Sequence, residues 1–257
     1  MTFGSTAKNV NLLSITSLLC VILGMFYFEF SLLNLGITIA SFYVLNILGV
    51  WMMLHRFYSH KSFEFKNKYV ESIFLLLSVL AGRGSPISWV YIHRQHHAHS
   101  DTDKDPHSPN RLGYKIFGFG HYKSMEQEKM KIFLVKDLMD KTQLFIHKYY
   151  ILFILSFALM LSSYSLELMY FMYAIPLVLI QLSQNHFNYF GHTRGYRNFD
   201  TKDNSTNNFY LFPFILGEAW HNNHHAHPNR ISTTVKSFEL DPVAYVINMM
   251  SRRNIVS

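Results

Sequence analysis

Cysteine and charge are scarce in this 257-residue chain. The single cysteine, Cys20, excludes an internal disulfide and any thiolate-rich metal site. Only 15% of residues are charged while 49% are hydrophobic, which is too little charge for an ordinary soluble enzyme of this size. Internal repeats, low-complexity tracts, Walker loops and dinucleotide fingerprints are all missing, and nothing suggests nucleic acid. The net charge of +7 suits a solvated face beside anionic lipid. Residues 17 to 20 read Ser-Leu-Leu-Cys, without the small residues a signal cleavage site needs, so a retained helix with Cys20 in its packing is expected.

What the chain has in quantity is long apolar runs. Residues 11 to 28 and 35 to 54, separated near Glu29 and Asn34, are long enough for a hairpin of two spanning helices. Residues 149 to 163 and 168 to 187 predict a second pair, hinged near Ser162, Ser163 and Ser165. A fifth apolar stretch, 72 to 92, is broken by Gly82, Gly84 and Pro86 and is expected to bend along the surface. Were it to cross, His60 and His93 would be stranded roughly 30 Å apart. The reading is a single integral-membrane domain over 1–257: four spans, with both termini and all histidine clusters on one side. Lys61, Lys66, Lys68, Lys104, Arg111, Lys115, Arg197, Lys202 and Arg230 fall on that side, whereas the hairpin turns hold Glu29 and Glu167. The positive-inside rule makes it cytoplasmic.

Histidine is the second excess. Of 15 histidines, eight fall in three groups: His55 and His60; His93, His96 and His97; His221, His224 and His225. Grouped neutral imidazoles imply a metal. The second and third groups have i, i+3, i+4 spacing, so each can converge on one helix face. His55 and His60 lie about 140° apart on an ideal helix and should not chelate one ion side by side; they serve two ions or straddle a helix end. Eight histidines exceed a four-ligand structural zinc, and two metals with about five ligands each fit better. Redox iron suits such a donor set, with copper and zinc not excluded by ligand type.

The order His-Arg-x-x-x-His, His-Arg-x-His-His, His-x-x-His-His, with Ser100-Asp101-Thr102, Asp105-Pro106-His107 and Gly217-Glu218-Ala219-Trp220 as flanks, resembles the membrane fatty acid desaturase superfamily, nearest its acyl-CoA delta-9 branch. The likeness covers about residues 35 to 230. It implies an all-α fold of four transmembrane helices in two hairpins beneath a helical cytosolic cap that houses two iron ions. It also adds His192 as a ligand and Asn188 as a ligand through water, from the segment Asn188-Tyr189-Phe190-Gly191-His192. The metal set is then His55, His60, His93, His96, His97, His192, His221, His224 and His225, with Asn188. The implied reaction uses dioxygen and two external electrons to place a cis double bond in a long acyl chain, at delta-9. Without a haem domain in the chain, the electrons must come from a separate ferredoxin, rubredoxin or cytochrome b-type protein.

Asp101, Asp105 and Glu218 are expected to orient ligand imidazoles, or, for the two Asp, to cap a helix or turn. Arg56 and Arg94 would pair with those carboxylates or face headgroups, and Trp89 and Trp220 would roof the site or lie at the interface. His99, His107 and His227 fall outside the family's ligand positions; His121, His147 and His186 are read as unrelated to metal. Counting back by fours from His55 gives Trp51, Ile47 and Tyr43, a face that either lines a substrate tunnel, favouring 16 carbons over 18, or only packs. Where animal acyl-CoA enzymes carry Arg two positions before the second group, this chain has Tyr91, which leaves the acyl carrier open among CoA, with acyl-CoA the first expectation, a carrier protein and a membrane lipid. Two rivals stand beside desaturation: a membrane hydroxylase or ketolase, disfavoured by the Asp-Pro-His and Gly-Glu-x-Trp flanks, and a non-catalytic metal-binding protein, which would line its spans with polar ligands.

Overall fold

The computed structural model describes residues 3–118 and 131–252; His121 and the extreme termini, on which part of the topology expectation rests, lie outside the described residues. Among the described residues the chain is helical. The main elements are α1 (Phe3–Gly24), α2 (Leu32–Ser59), α3 (Lys68–Leu80), α4 (Pro86–His99), α5 (Lys141–Tyr164), α6 (Leu166–Phe190), α7 (His221–Ala226) and α8 (Pro242–Met250). Strand-like pairing is confined to isolated bridges such as Phe65 with Ser251.

Among the described residues three helices, α2, α5 and α6, are long and apolar enough to cross a membrane, against the four expected; the apolar helix Asn9–Gly24 is shorter. The run of 11 to 28 stops early because the chain turns after Gly24, with Phe28 N–H returning to the Gly24 carbonyl at 2.8 Å. The other three spans are longer than expected at both ends. Their starts are capped: Ser31 accepts from Asn34 N–H, and Asp140 accepts from Thr142 and Gln143 N–H. Leu152, Leu155, Leu159 and Met160 on α5 are all more than half exposed, an apolar face suited to lipid. At the end remote from the histidines the two hairpin turns are tied together, as Asn34 donates to Glu167 Oε1 at 2.8 Å.

Two departures from regular helix position the site. From Val44 to Ser59, α2 is wound in wide turns with i→i+5 hydrogen bonds, which continue to its end as His60 N–H bonds the His55 carbonyl at 3.2 Å. The 72 to 92 stretch does break where expected. Gly82 (φ 73°) and Gly84 (φ 103°) take left-handed conformations, then Ser85 and Pro86 start α4. The chain therefore folds back over α2, where a Cβ at Gly49 would meet the Leu77 carbonyl oxygen at 2.7 Å. Reversal there returns His93, His96 and His97 to the end of α2.

Candidate metal centre

Nine histidines converge where α2, α4, the end of α6 and α7 meet, and they divide into two groups. His55, His60, His93, His97 and His224 form the first; His96, His192, His221 and His225 form the second. Within each group one ring nitrogen per residue lies within 4.8 Å of all the others. Nearest Nε2 pairs are 2.8 Å for His60 with His93, 3.1 Å for His55 with His224, 3.1 Å for His224 with His97 and 2.9 Å for His192 with His221. Ligands at about 2.1 Å from one ion and at right angles are about 3.0 Å apart, so these are separations of neighbouring ligands on a shared cation.

Two spacing arguments are corrected by this division. Each i, i+3, i+4 trident splits: His93 and His97 reach one group and His96 the other, while His224 parts from His221 and His225. The two sites lie side by side along α4 and α7, so residues on neighbouring helix faces serve different sites. His55 and His60 in turn share one group, contrary to the ideal-helix angle. The wide turns of α2 bring positions five apart into line, and His60 is the C-cap, the helix-end placement left open from sequence.

Carboxylates stand behind the imidazoles. His192 Nδ1 meets Asp101 Oδ2 at 3.0 Å, His96 Nδ1 meets Asp105 Oδ2 at 3.0 Å and His55 Nδ1 meets Glu218 Oε2 at 2.9 Å. The His192 and His96 hydrogen bonds fix the tautomer that leaves Nε2 free to ligate, and Glu218 sets a carboxylate beside the His55 ring. A fourth, Asp203 Oδ2 to His225 Nδ1 at 2.7 Å, was missed from sequence, since Asp203 lies 22 residues before its partner in a loop with no flanking motif. Asp101 adopts φ 62°, a left-handed backbone that is unusual outside glycine, and its carboxylate also accepts from Asn204 N–H at 2.7 Å. Asp105 additionally accepts from the N–H groups of Asp101 and His107, so it serves both as turn former and imidazole partner.

Arg56 is fully buried and bridges Glu218 (Nε to Oε1, 2.6 Å) and Asp241 (2.9 and 3.2 Å). Arg94 turns away from the histidines to Asp137 and to the Ser59, Tyr58 and Leu134 carbonyls, clamping α2 to α4. Asn222 and Asn223, between the ligand histidines of α7, tie the cap together through Asn198, Phe199, Thr233 and Glu239. Trp89 stacks on His93 at 4.9 Å, whereas Trp220 is buried away from the clusters against Phe212. His107 stacks on His96 at 4.3 Å; His147 bonds Ser85, and His186 lies outside both groups.

Burial first, and then neighbouring histidines, hold His60, His93, His97, His221 and His224 well below the usual imidazole value. His96 is pushed down to about 3, by burial and by His107. All are neutral at pH 7 with lone pairs available. Burial would raise Glu218, but Arg56 and then His55 hold it below the usual carboxylate range; for Asp105 and Asp203 the partner histidines likewise override burial. Asp241 balances Arg56, so Asp101, Asp105, Asp203 and Glu218 leave four carboxylates around the nine imidazoles. Two divalent cations match that charge, and the donor set fits a pair of metal ions with nitrogen-rich coordination.

A cavity of about 30 Å³ abuts both groups, touching His93 of the first and His96 and His221 of the second, with Trp51, Trp89, Gln184, Phe187 and Asn188 also in its wall. Asn188 lines this cavity together with His93, His96 and His221. A separate apolar cavity of about 450 Å³ lies between α2, α6 and the segment Phe209–Ala219, with Tyr43, Phe42, Leu179, Leu182 and Phe214 in its wall. The face predicted by counting in fours is therefore divided: Trp51 reaches the first cavity, Tyr43 the second, and Ile47 is buried in the core outside both walls. Asn46, next to Ile47 on the same segment, bonds Ser183 and the Phe214 carbonyl.

Buried paired histidine groups at the end of membrane-length helices define a membrane protein whose histidine clusters are consistent with a di-metal site. The chain belongs to the fatty acid desaturase family, whose model matches residues 31–248, and it is an oxidoreductase of that family. It is 33% identical over 202 residues to the sn-1 stearoyl-lipid 9-desaturase of Anabaena variabilis, covering 77% of this chain and 73% of the relative. Identity is 31% to the sn-2 palmitoyl-lipid 9-desaturase of Nostoc sp. (strain 36), over 86% and 79% of the two chains. To delta-9 acyl-lipid desaturase 1 of Arabidopsis thaliana it is 29%, over 81% and 69%. These relatives carry lipid-linked names, so the expected nearness to the acyl-CoA branch gains no specific support.

Proposed function

We propose that the protein inserts a cis double bond at delta-9 of a long acyl chain carried on a membrane lipid. The observation that carries this reading is the division of nine histidines into groups of five and four, backed by four carboxylates. Iron bound by these imidazoles would supply the oxygen chemistry strong enough to act on an unactivated methylene pair. The balance is R–CH2–CH2–R′ + O2 + 2 electrons + 2 protons → R–CH=CH–R′ + 2 H2O. Electrons come from a separate ferredoxin, rubredoxin or cytochrome b-type protein.

The chain's own residues hold the metals and locate the substrate. His55, His60, His93, His97 and His224 take one iron; His96, His192, His221 and His225 take the other, with Asn188 acting through water. Asp101, Asp105, Asp203 and Glu218 keep Nε2 directed inward. An acyl chain has no polar handle near its reacting carbons and must be placed by apolar walls. The cavity of about 450 Å³ with Tyr43 in its wall has suitable size and lining, and it lies between the membrane-length helices α2 and α6. Lipid as carrier is supported by that position, by Tyr91 in place of a CoA-binding Arg, and by the names of the relatives above. With α1 as a fourth span, the histidines lie on the cytoplasmic side, in keeping with the Lys and Arg of the motif loops.

Expression in a host without its own desaturase tests this directly. Monoenes with a cis bond at carbon 9, first appearing in glycerolipid and lost on His93→Ala or His221→Ala, are expected. Hydroxylated chains instead of alkenes would contradict it, and labelled acyl-CoA converted before any lipid would overturn the assigned carrier.

A further inference from the structure

The small cavity next to His96 and His221 is walled in part by donors that meet no protein acceptor. Gln184 and Trp51 are 5% and 2% exposed, and Gln184 Nε2 and Trp51 Nε1 are buried without a hydrogen-bond partner. A buried donor left unpaired costs ~1–3 kcal/mol, so two in one wall call for an acceptor. The direction of the amide is settled by its neighbour. Arg83 Nε donates to Gln184 Oε1 at 2.9 Å, and since Arg has no acceptor, the flipped amide would set donor against donor. Arg83 also donates to Gln181 Oε1, whose Nε2 passes on to Asn185 Oδ1 at 2.8 Å, so the guanidinium is anchored independently of Gln184.

Size decides what the cavity takes. At about 30 Å³ it exceeds the ~10–15 Å³ that a water requires and falls far below the ~300 Å³ of an organic ligand pocket. Both free groups only donate, so the occupant must accept.

We propose that Gln184 and Trp51 form a two-donor site for a small oxygen ligand, water, hydroxide or dioxygen, beside the histidine groups where His93, His96 and His221 meet the cavity, with Arg83 as the positioning residue that aims Gln184. Two hydrogen bonds would hold the ligand from the Gln184 and Trp51 side, and a metal held by the histidines would lie on the side of His93, His96 and His221.

This rests on the metal-site reading, and the test separates the two. Azide serves as a small anionic probe, titrated spectroscopically into the purified iron-loaded protein, with iron content read on the same samples. Gln184→Leu and Trp51→Phe are expected to keep two irons per chain and to bind azide about tenfold more weakly each, ~1.4 kcal/mol per donor. Arg83→Lys, which keeps the charge and loses the Nε donor, should weaken azide with Gln184 still in place. Trp51→Phe retains the ring packing and decides the matter if Gln184→Leu fails to load iron. Unchanged azide affinity at full iron content overturns the two-donor site and leaves the metal reading standing; a wild-type chain that retains no iron overturns both.

Discussion

Asp203→Asn isolates one carboxylate whose part was invisible in the sequence. Its Oδ2 receives the His225 Nδ1 proton at 2.7 Å, while Oδ1 accepts from Ser205 N–H at 3.0 Å and Thr201 Oγ1 at 2.8 Å. Asparagine can keep the Oδ1 contacts and so preserve the loop, but it replaces the charged acceptor by an amide that donates. A hydrogen bond to a charged group contributes ~1.5–3 kcal/mol, and loss of such a partner to a ligand histidine typically weakens metal binding ~10–100-fold. Because His225 belongs only to the second group, one metal should be released 10–100-fold faster to a chelator while the other is retained as before. Stopped-flow chelator release on purified protein reads this as two phases where wild type shows closer rates. Exposed Asp200→Asn, three residues away, is the matched comparison. Release kinetics identical to wild type for both metals would refute the claim that Asp203 fixes His225.

Other substitutions probe the frame around the metals. Arg56→Leu leaves Glu218 and Asp241 as buried carboxylates without their cation, and should lower stability by ~3–5 kcal/mol in detergent unfolding; a change under 1 kcal/mol contradicts the bridging role. Tyr43→Ala should shift the chain lengths of monoenes made in cells, whereas Ile47→Ala should leave the profile in place, because only Tyr43 borders the larger cavity. Equal effects from both would mean the cavity is not the chain's path. Metal-free protein should lose stability as pH falls from about 6.5 towards 3: folded His96 protonates only near 3, so the unfolded chain binds more protons in that window. Unfolding midpoints that rise on acidification would reverse the sign.

The sequence carried the helices, the histidine groups and three of the four supporting carboxylates because each has a local signature: an apolar run, an i, i+3, i+4 spacing, an acidic flank. It also revealed that residues 72 to 92 must bend, since Gly82, Gly84 and Pro86 mark the reversal themselves. What it could not show is how the nine histidines divide. That depends on α4 and α7 presenting adjacent faces to two sites, a relation between helices that spacing within either one does not encode. The pairing of His55 with His60 depends on the wide turns of α2, which bring positions five apart closer to one face than an ideal helix does. Asp203 escaped for a related reason, as only the folded loop brings it to His225.

Iron stoichiometry with one ligand deleted from each group tests the central claim most directly. Wild-type protein purified with iron should hold two ions per chain; His224→Ala should deplete one, His192→Ala the other, with distinct spectra for the two remaining ions and no alkene formed by either variant. A single iron in the wild type, or variants that both lose the same ion, would contradict a site of five histidines beside a site of four.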